Sequence, residues 1–132
     1  MDQIAQKVVS LEPSELVLYR SQNGYIPVIG EGSLDADILF IGEAPGKNEA
    51  LSGKPFCGRS GKVLDTLIES IGLSRSSVYI TNIVKDRPPE NRDPSSEEVA
   101  LYSEFLDDQI EIIRPKVIAT LGRISMKYIL LR

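Results

Sequence analysis

Apolar and polar positions follow two rhythms along this chain. Short, β-branched runs at 36–41, at 78–84 (Val78-Tyr79-Ile80-Thr81-Asn82-Ile83-Val84) and at 116–121 have the length and composition of buried strands. Between them the apolar positions take helical spacing. Val63, Leu64, Leu67, Ile68 and Ile71 form one set, and Val99, Tyr102, Phe105, Leu106, Ile110 and Ile113 form another that runs to Pro115. Ser60 is the expected N-cap of the first and Gly72 its stop, and Ser95 with Glu98 predicts a capping box for the second. Gly122 turns the chain into a final helix from about Arg123. At the N-terminus, Asp2 is the expected cap of a helix over 2–11 that presents Ile4, Val8 and Leu11 and stops at Pro13. Residues 12–35 read as a connector, with a short edge strand at Pro27-Val28-Ile29.

The order β-α-β-α-β-α predicts a parallel sheet with right-handed crossovers and helices on both faces. The expected fold is thus α/β, a three-layer α/β/α sandwich on three core strands. A fourth βα unit is missing, so residues 1–132 read as a single, C-terminally incomplete domain.

The first strand gives way at Gly42 to a stretch with five glycines and two prolines, Gly42-Glu-Ala-Pro-Gly-Lys-Asn-Glu-Ala-Leu-Ser-Gly-Lys-Pro-Phe-Cys-Gly-Arg-Ser-Gly61. A long loop at the carboxyl end of a strand is where α/β proteins place ligands. It is not a phosphate-binding P-loop. Gly42 to Gly46-Lys47-Asn48 and Gly58 to Gly61-Lys62-Val63 are both short in spacing, and both lack the hydroxyl that holds magnesium. The dinucleotide fingerprint Gly-x-Gly-x-x-Gly is absent as well.

Composition narrows the chemistry. The chain has no histidine and one cysteine, Cys57, which argues against zinc sites, histidine catalysis and internal disulfides, and for a cytoplasmic setting. No apolar run approaches a membrane span. The net charge of −4 hides a local excess: residues 47–92 carry eight Lys/Arg against five Asp/Glu. Lys47, Lys54, Arg59, Lys62, Lys85, Arg87 and Arg92 would form a phosphate-contacting face on an acidic body. Cys57 reads as a small buried hydrophobe.

The motifs resemble those of the family 4 uracil-DNA glycosylases. Gly42-Glu43-Ala44-Pro45-Gly46, Glu49 and Gly53-x-Pro55-Phe56-x-Gly58-x-x-Gly61 look like the family's first block. Thr81-Asn82-x-Val84-Lys85 with Arg87-Pro88-Pro89-x-Asn91-Arg92-x-Pro94 looks like the second, and Pro115-Lys116-Val117-Ile118 with Leu121-Gly122 like the third. Leu16-x-x-x-Arg20 and Gly30-Glu31-Gly32 match the N-terminal lead-in.

The resemblance implies hydrolysis of the N-glycosidic bond of uracil in DNA after base flipping, by a monomer, with weak uracil binding and impaired excision expected of this chain. It places catalysis on Glu43, Ala44 and Asn82, and uracil binding on Gly42, Glu43, Phe56 and Asn82. Asn82 would read the N3–H and O4 of uracil, Phe56 would stack on the ring, and Gly42 would allow close approach. Ala44 stands where other glycosylase families keep a water-activating aspartate, so no general base is assigned. Ser60, Lys85, Arg87, Asn91 and Arg92 would contact phosphates. Two features depart from the family. Its four [4Fe–4S] ligand positions fall on Leu11, Ser14, Asp86 and Tyr102, none a cysteine, so a cluster is expected to be absent and Leu11 and Tyr102 to pack helix on helix. Its late His-Pro-Ser motif is also missing. Two further readings stay open: a non-catalytic DNA- or uracil-binding module of the same fold, and a structural fragment completed by a partner along its sheet edge.

Overall fold

The structure, a computed structural model, describes residues 1–11 and 14–132. Three parallel strands, β2 (Ile38–Gly42), β3 (Tyr79–Asn82) and β4 (Val117–Thr120), form the core of the sheet, as their β-branched runs require. A fourth strand, β1 (Glu31–Gly32), lies antiparallel against β3, giving the order β1-β3-β2-β4. The edge strand therefore falls at 31–32 and not at Pro27–Ile29. The backbone of 27–29 is spent on other partners: Val28 N–H donates to the Lys85 carbonyl, and the Ile29 carbonyl accepts from Thr81 and Gln109.

The period of two along β2 divides the core. Leu39 and Ile41 face a cluster built on α1 (Asp2–Val9), α2 (Glu15–Asn23), α5 (Ser96–Ile113) and the half-buried side of α6 (Arg123–Leu130). Phe40 faces the opposite way, with Ile80, onto Leu64 and Ile68 of α4 (Arg59–Ser70). This is the expected three-layer sandwich. On α4 only Leu64 and Ile68, four residues apart, are buried among the apolar set; Val63, Leu67 and Ile71 are exposed.

Several local expectations shift. Asp2 is the first helical residue of α1, with Met1 at the cap, and the helix ends at Val9; the stop expected at Pro13 lies outside the described residues. What read as a connector contains α2, capped by Ser14 Oγ on Val17 N–H and ended by Gly24 at φ 65°. The motif loop contains α3 (Lys47–Ser52), closed by Gly53 at φ 75°. The N-cap of α4 is Gly58, and Ser60 sits inside its first turn. The Ser95–Glu98 capping box forms as its spacing predicts.

Candidate functional site

In the parallel register of β2 with β3, Gly42 pairs with Asn82. The last residues of two adjacent strands thus stand side by side at the carboxyl edge of the sheet, where open α/β sheets bind ligands. The Phe56 ring comes in from the motif loop. A Cβ on Gly42 would collide with both Asn82 Oδ1 and the Phe56 ring, so this approach is open only to glycine. Ala44, Gly46, Glu49, Phe56, Ser60 and Asn82 line the resulting pocket of about 210 Å³. That is below the ~300–1,000 Å³ of sites for drug-sized ligands and is the scale of one heterocyclic base. Asn82 is buried, and the described hydrogen bonds leave its carboxamide unengaged at the pocket wall, with one acceptor and two donors to offer.

The loop that carries Phe56 is tied to Glu49. Its Oε1 accepts from Gly46 N–H (3.0 Å), and its Oε2 accepts from Cys57 N–H (3.1 Å), Gly58 N–H (3.1 Å) and the Cys57 thiol (3.3 Å). Cys57 is exposed and not buried as expected, because the turn that sends Phe56 inward sends its neighbour out. Beside the pocket, and sharing Gly46, Glu49 and Ser60 with it, runs an open groove of about 610 Å³ bordered by Lys47, Arg59 and Asn91. An apolar hollow of about 450 Å³ lies between α5 and α6, lined by Val99, Ile124, Tyr128 and Leu131 with Pro94 at its edge, and no residue of the Gly42–Gly61 stretch lines it.

The other expected site residues divide. Glu43 is not in the pocket wall: its Oε2 accepts from Ile124 N–H at 2.6 Å and sits against Gly122, at the N-terminus of α6. Ser60 and Asn91 border the groove. Lys85 does not. It is fully buried, and its Nζ donates to Asn82 O (2.5 Å), Gln109 Oε1 (2.6 Å) and Thr81 Oγ1 (2.7 Å). Burial pulls its pKa well below the ordinary lysine value. Its expected phosphate contact is withdrawn, because a side chain inside the core cannot reach a backbone outside it. Arg87 lies over the Tyr25 ring and donates to Tyr25 Oη (2.8 Å) and Asn91 Oδ1 (2.9 Å), which orients Asn91. Arg92 forks onto both oxygens of Glu98 (2.7 and 2.8 Å), so much of its charge is answered within the protein, and Glu98 is held below the usual carboxylate range.

Residues 29–132 match the profile of the Uracil DNA glycosylase superfamily. The chain belongs to this superfamily. Among its relatives are type-4 uracil-DNA glycosylases from Sulfurisphaera tokodaii (48% identical over 98% of this chain and 57% of that one), Archaeoglobus fulgidus (45% over 98% and 63%) and Saccharolobus solfataricus (50% over 98% and 58%). The chain thus spans about three fifths of the length of the relatives it matches.

The resemblance to family 4 raises the question of a [4Fe–4S] cluster, and the donor set does not fit one. Leu11 is apolar and packs against the core, and Ser14 is spent as the cap of α2. Asp86, fully buried, receives Arg20 Nη1 on both oxygens (3.1 Å each) and the Tyr102 hydroxyl on Oδ2 (2.5 Å). Arg20 also donates to the carbonyls of Val8 and Val9 at the end of α1. Burial pushes the Asp86 carboxyl above its usual range, while the Tyr102 hydroxyl and the Arg20 guanidinium pull it back. Tyr102 is itself pushed up by burial and by the Asp86 charge. Thiolates are what iron–sulfur clusters need, and here a hydrogen-bonded ion pair occupies their place. Among the described residues no group of three or more Cys, His, Asp or Glu is placed to hold a metal, and no helix is long and apolar enough to cross a membrane.

Proposed function

We propose that this chain binds a flipped uracil in the Gly42–Phe56–Asn82 pocket and hydrolyses its N-glycosidic bond, as a DNA repair glycosylase. The convergence of the Asn82 carboxamide and the Phe56 ring in one base-sized pocket, with the bare Gly42 backbone packed against both, carries the reading. Asn82 Oδ1 accepts from uracil N3–H and its Nδ2 donates to O4; cytosine presents an acceptor and a donor at those positions and is refused. Phe56 stacks on the ring, a contact worth ~1–3 kcal/mol. As the C1′–N1 bond breaks, its electron pair leaves with uracil as an anion and the sugar takes oxocarbenium character. Water oxygen then bonds to C1′ and releases a proton that neutralises the departing uracil anion, leaving an abasic site and free uracil. The DNA strand runs along the groove bordered by Lys47, Arg59, Ser60 and Asn91, its phosphates near the two cations. The corner at Asp86 works without an iron–sulfur cluster, and the ion pair with Arg20 does its structural task.

One observation favours the second reading, a binding module without turnover. The Glu43 carboxylate, the motif's own acid, is turned to the α6 N-terminus and away from the pocket. Binding and release separate the two. Uracil release from labelled single-stranded DNA, abolished by Asn82→Ala, supports the enzyme. Salt-dependent binding of uracil-containing DNA with no release from the folded chain supports the module.

A further inference from the structure

Phe56 stands at φ 47°, in the left-handed region that an aromatic residue seldom adopts. Something outside the residue must hold it there. Gly61 makes the space: a Cβ at that position would collide with the Phe56 carbonyl. Arg75, in the turn before β3, fills the other side. Its Nη2 donates to the Pro55 carbonyl at 2.8 Å and its Nη1 to the Phe56 carbonyl at 3.2 Å. The guanidinium is braced in turn by Asp65 (2.9 Å) and Glu31 (3.4 Å).

The peptide unit that follows Phe56 is therefore gripped at both ends. Its carbonyl is held by the Arg75 cation and its N–H, that of Cys57, by the Glu49 carboxylate. We propose that Arg75 is a positioning residue for the base-stacking ring, acting with Glu49 to clamp the Phe56–Cys57 peptide so that the ring faces Asn82 before any base arrives. This rests on the pocket's being the uracil site. Arg75 does not itself line the pocket and acts through its contacts to the Pro55 and Phe56 carbonyls. A ring fixed in advance loses no freedom on binding, so its loosening should appear as weaker binding of ground state and transition state alike.

The test uses the full chain with Arg75→Ala, Arg75→Lys, Phe56→Ala and the double variant Arg75→Ala/Phe56→Ala, assayed for KM and kcat on uracil-containing single-stranded DNA. Arg75→Ala should raise KM roughly tenfold with a smaller change in kcat, within the range seen for directly contacting residues. Arg75→Lys, whose ammonium reaches one carbonyl at a time, should recover part of that loss. In the Phe56→Ala background, removal of Arg75 should add nothing. A full additional loss there, or an unchanged KM in folded Arg75→Ala, overturns the proposal. If the chain releases no uracil at all, the enzymatic reading fails separately, and amide exchange at Cys57 decides the clamp. Exchange at least about tenfold faster in Arg75→Ala, with sheet amides unchanged, supports it, and unchanged protection overturns it.

Discussion

The second motif loop, from Lys85 to Pro94, joins two regions that treat polar atoms in opposite ways. At the Arg20–Asp86–Tyr102 corner every charge is answered: the carboxylate receives three hydrogen bonds, and the guanidinium that supplies two of them also caps the end of α1. At the pocket, a few residues back along the chain, the Asn82 carboxamide opens to the pocket with no hydrogen bond among the described residues, and Phe56 is held in an unfavourable backbone conformation. A corner built for stability saturates its buried polar groups, whereas a site built for recognition keeps a polar group open to its pocket and stores strain. The loop itself divides in the same way: Lys85 and Asp86 are buried, while Arg87 and Asn91 lie nearer the surface and bond to each other.

The contrast breaks most sharply at Asp86. Asp86→Ala strands the buried Arg20 guanidinium, and the expected cost is ~3–5 kcal/mol in urea unfolding, from an uncompensated interior charge. Asn82→Ala removes a group with no hydrogen bond among the described residues and should change stability by less than about 1 kcal/mol. Its effect belongs on activity instead: uracil release should fall about 10²–10³-fold, the loss typical of removing one preorganised hydrogen-bonding group. Phe56→Ala should weaken binding of uracil-containing single-stranded DNA by ~1–3 kcal/mol, measured by titration at fixed salt, and leave thermal stability nearly unchanged.

A smaller effect separates Lys85 from both regions. Its pKa in the folded protein is below the ordinary value, so the unfolded chain binds more protons in the window between the two. Stability should therefore rise with pH through that window, by at most about 1.4 kcal/mol per pH unit, and level off above the ordinary lysine pKa. Urea unfolding of the protein and of Lys85→Met from neutral to alkaline pH checks this; the difference between them should shift steadily in favour of the wild type.

Which parts were legible in the sequence follows from how local their causes are. The three core strands are β-branched runs and the Ser95–Glu98 box is a fixed spacing, so both could be read directly. Gly42, Phe56 and Asn82 are legible as a motif, and the structure brings Phe56 and Asn82 to one pocket with Gly42 packed against both. Helix α2 was missed although Ser14 and Gly24 mark its ends, because its inward face includes Arg20 beside Leu16 and Val17 and breaks the apolar rhythm. Helix α3 is a turn and a half between glycines and reads as loop. Lys85 was placed on the surface because lysine is seldom buried; only the convergence of Thr81, Asn82 and Gln109 from β3 and α5 makes its burial possible. Arg75 carries no local signal, since its partners lie 19 and 20 residues upstream.

The central claim is that the Gly42–Phe56–Asn82 pocket removes uracil while the Asp86 corner only holds the fold together. It is tested most directly by uracil release from labelled single-stranded DNA and from a U·G duplex, comparing this chain with Asn82→Ala. The account predicts release by the chain and its loss in the variant, with equal folding of the two. No release from the folded chain, or equal release from Asn82→Ala, would contradict it.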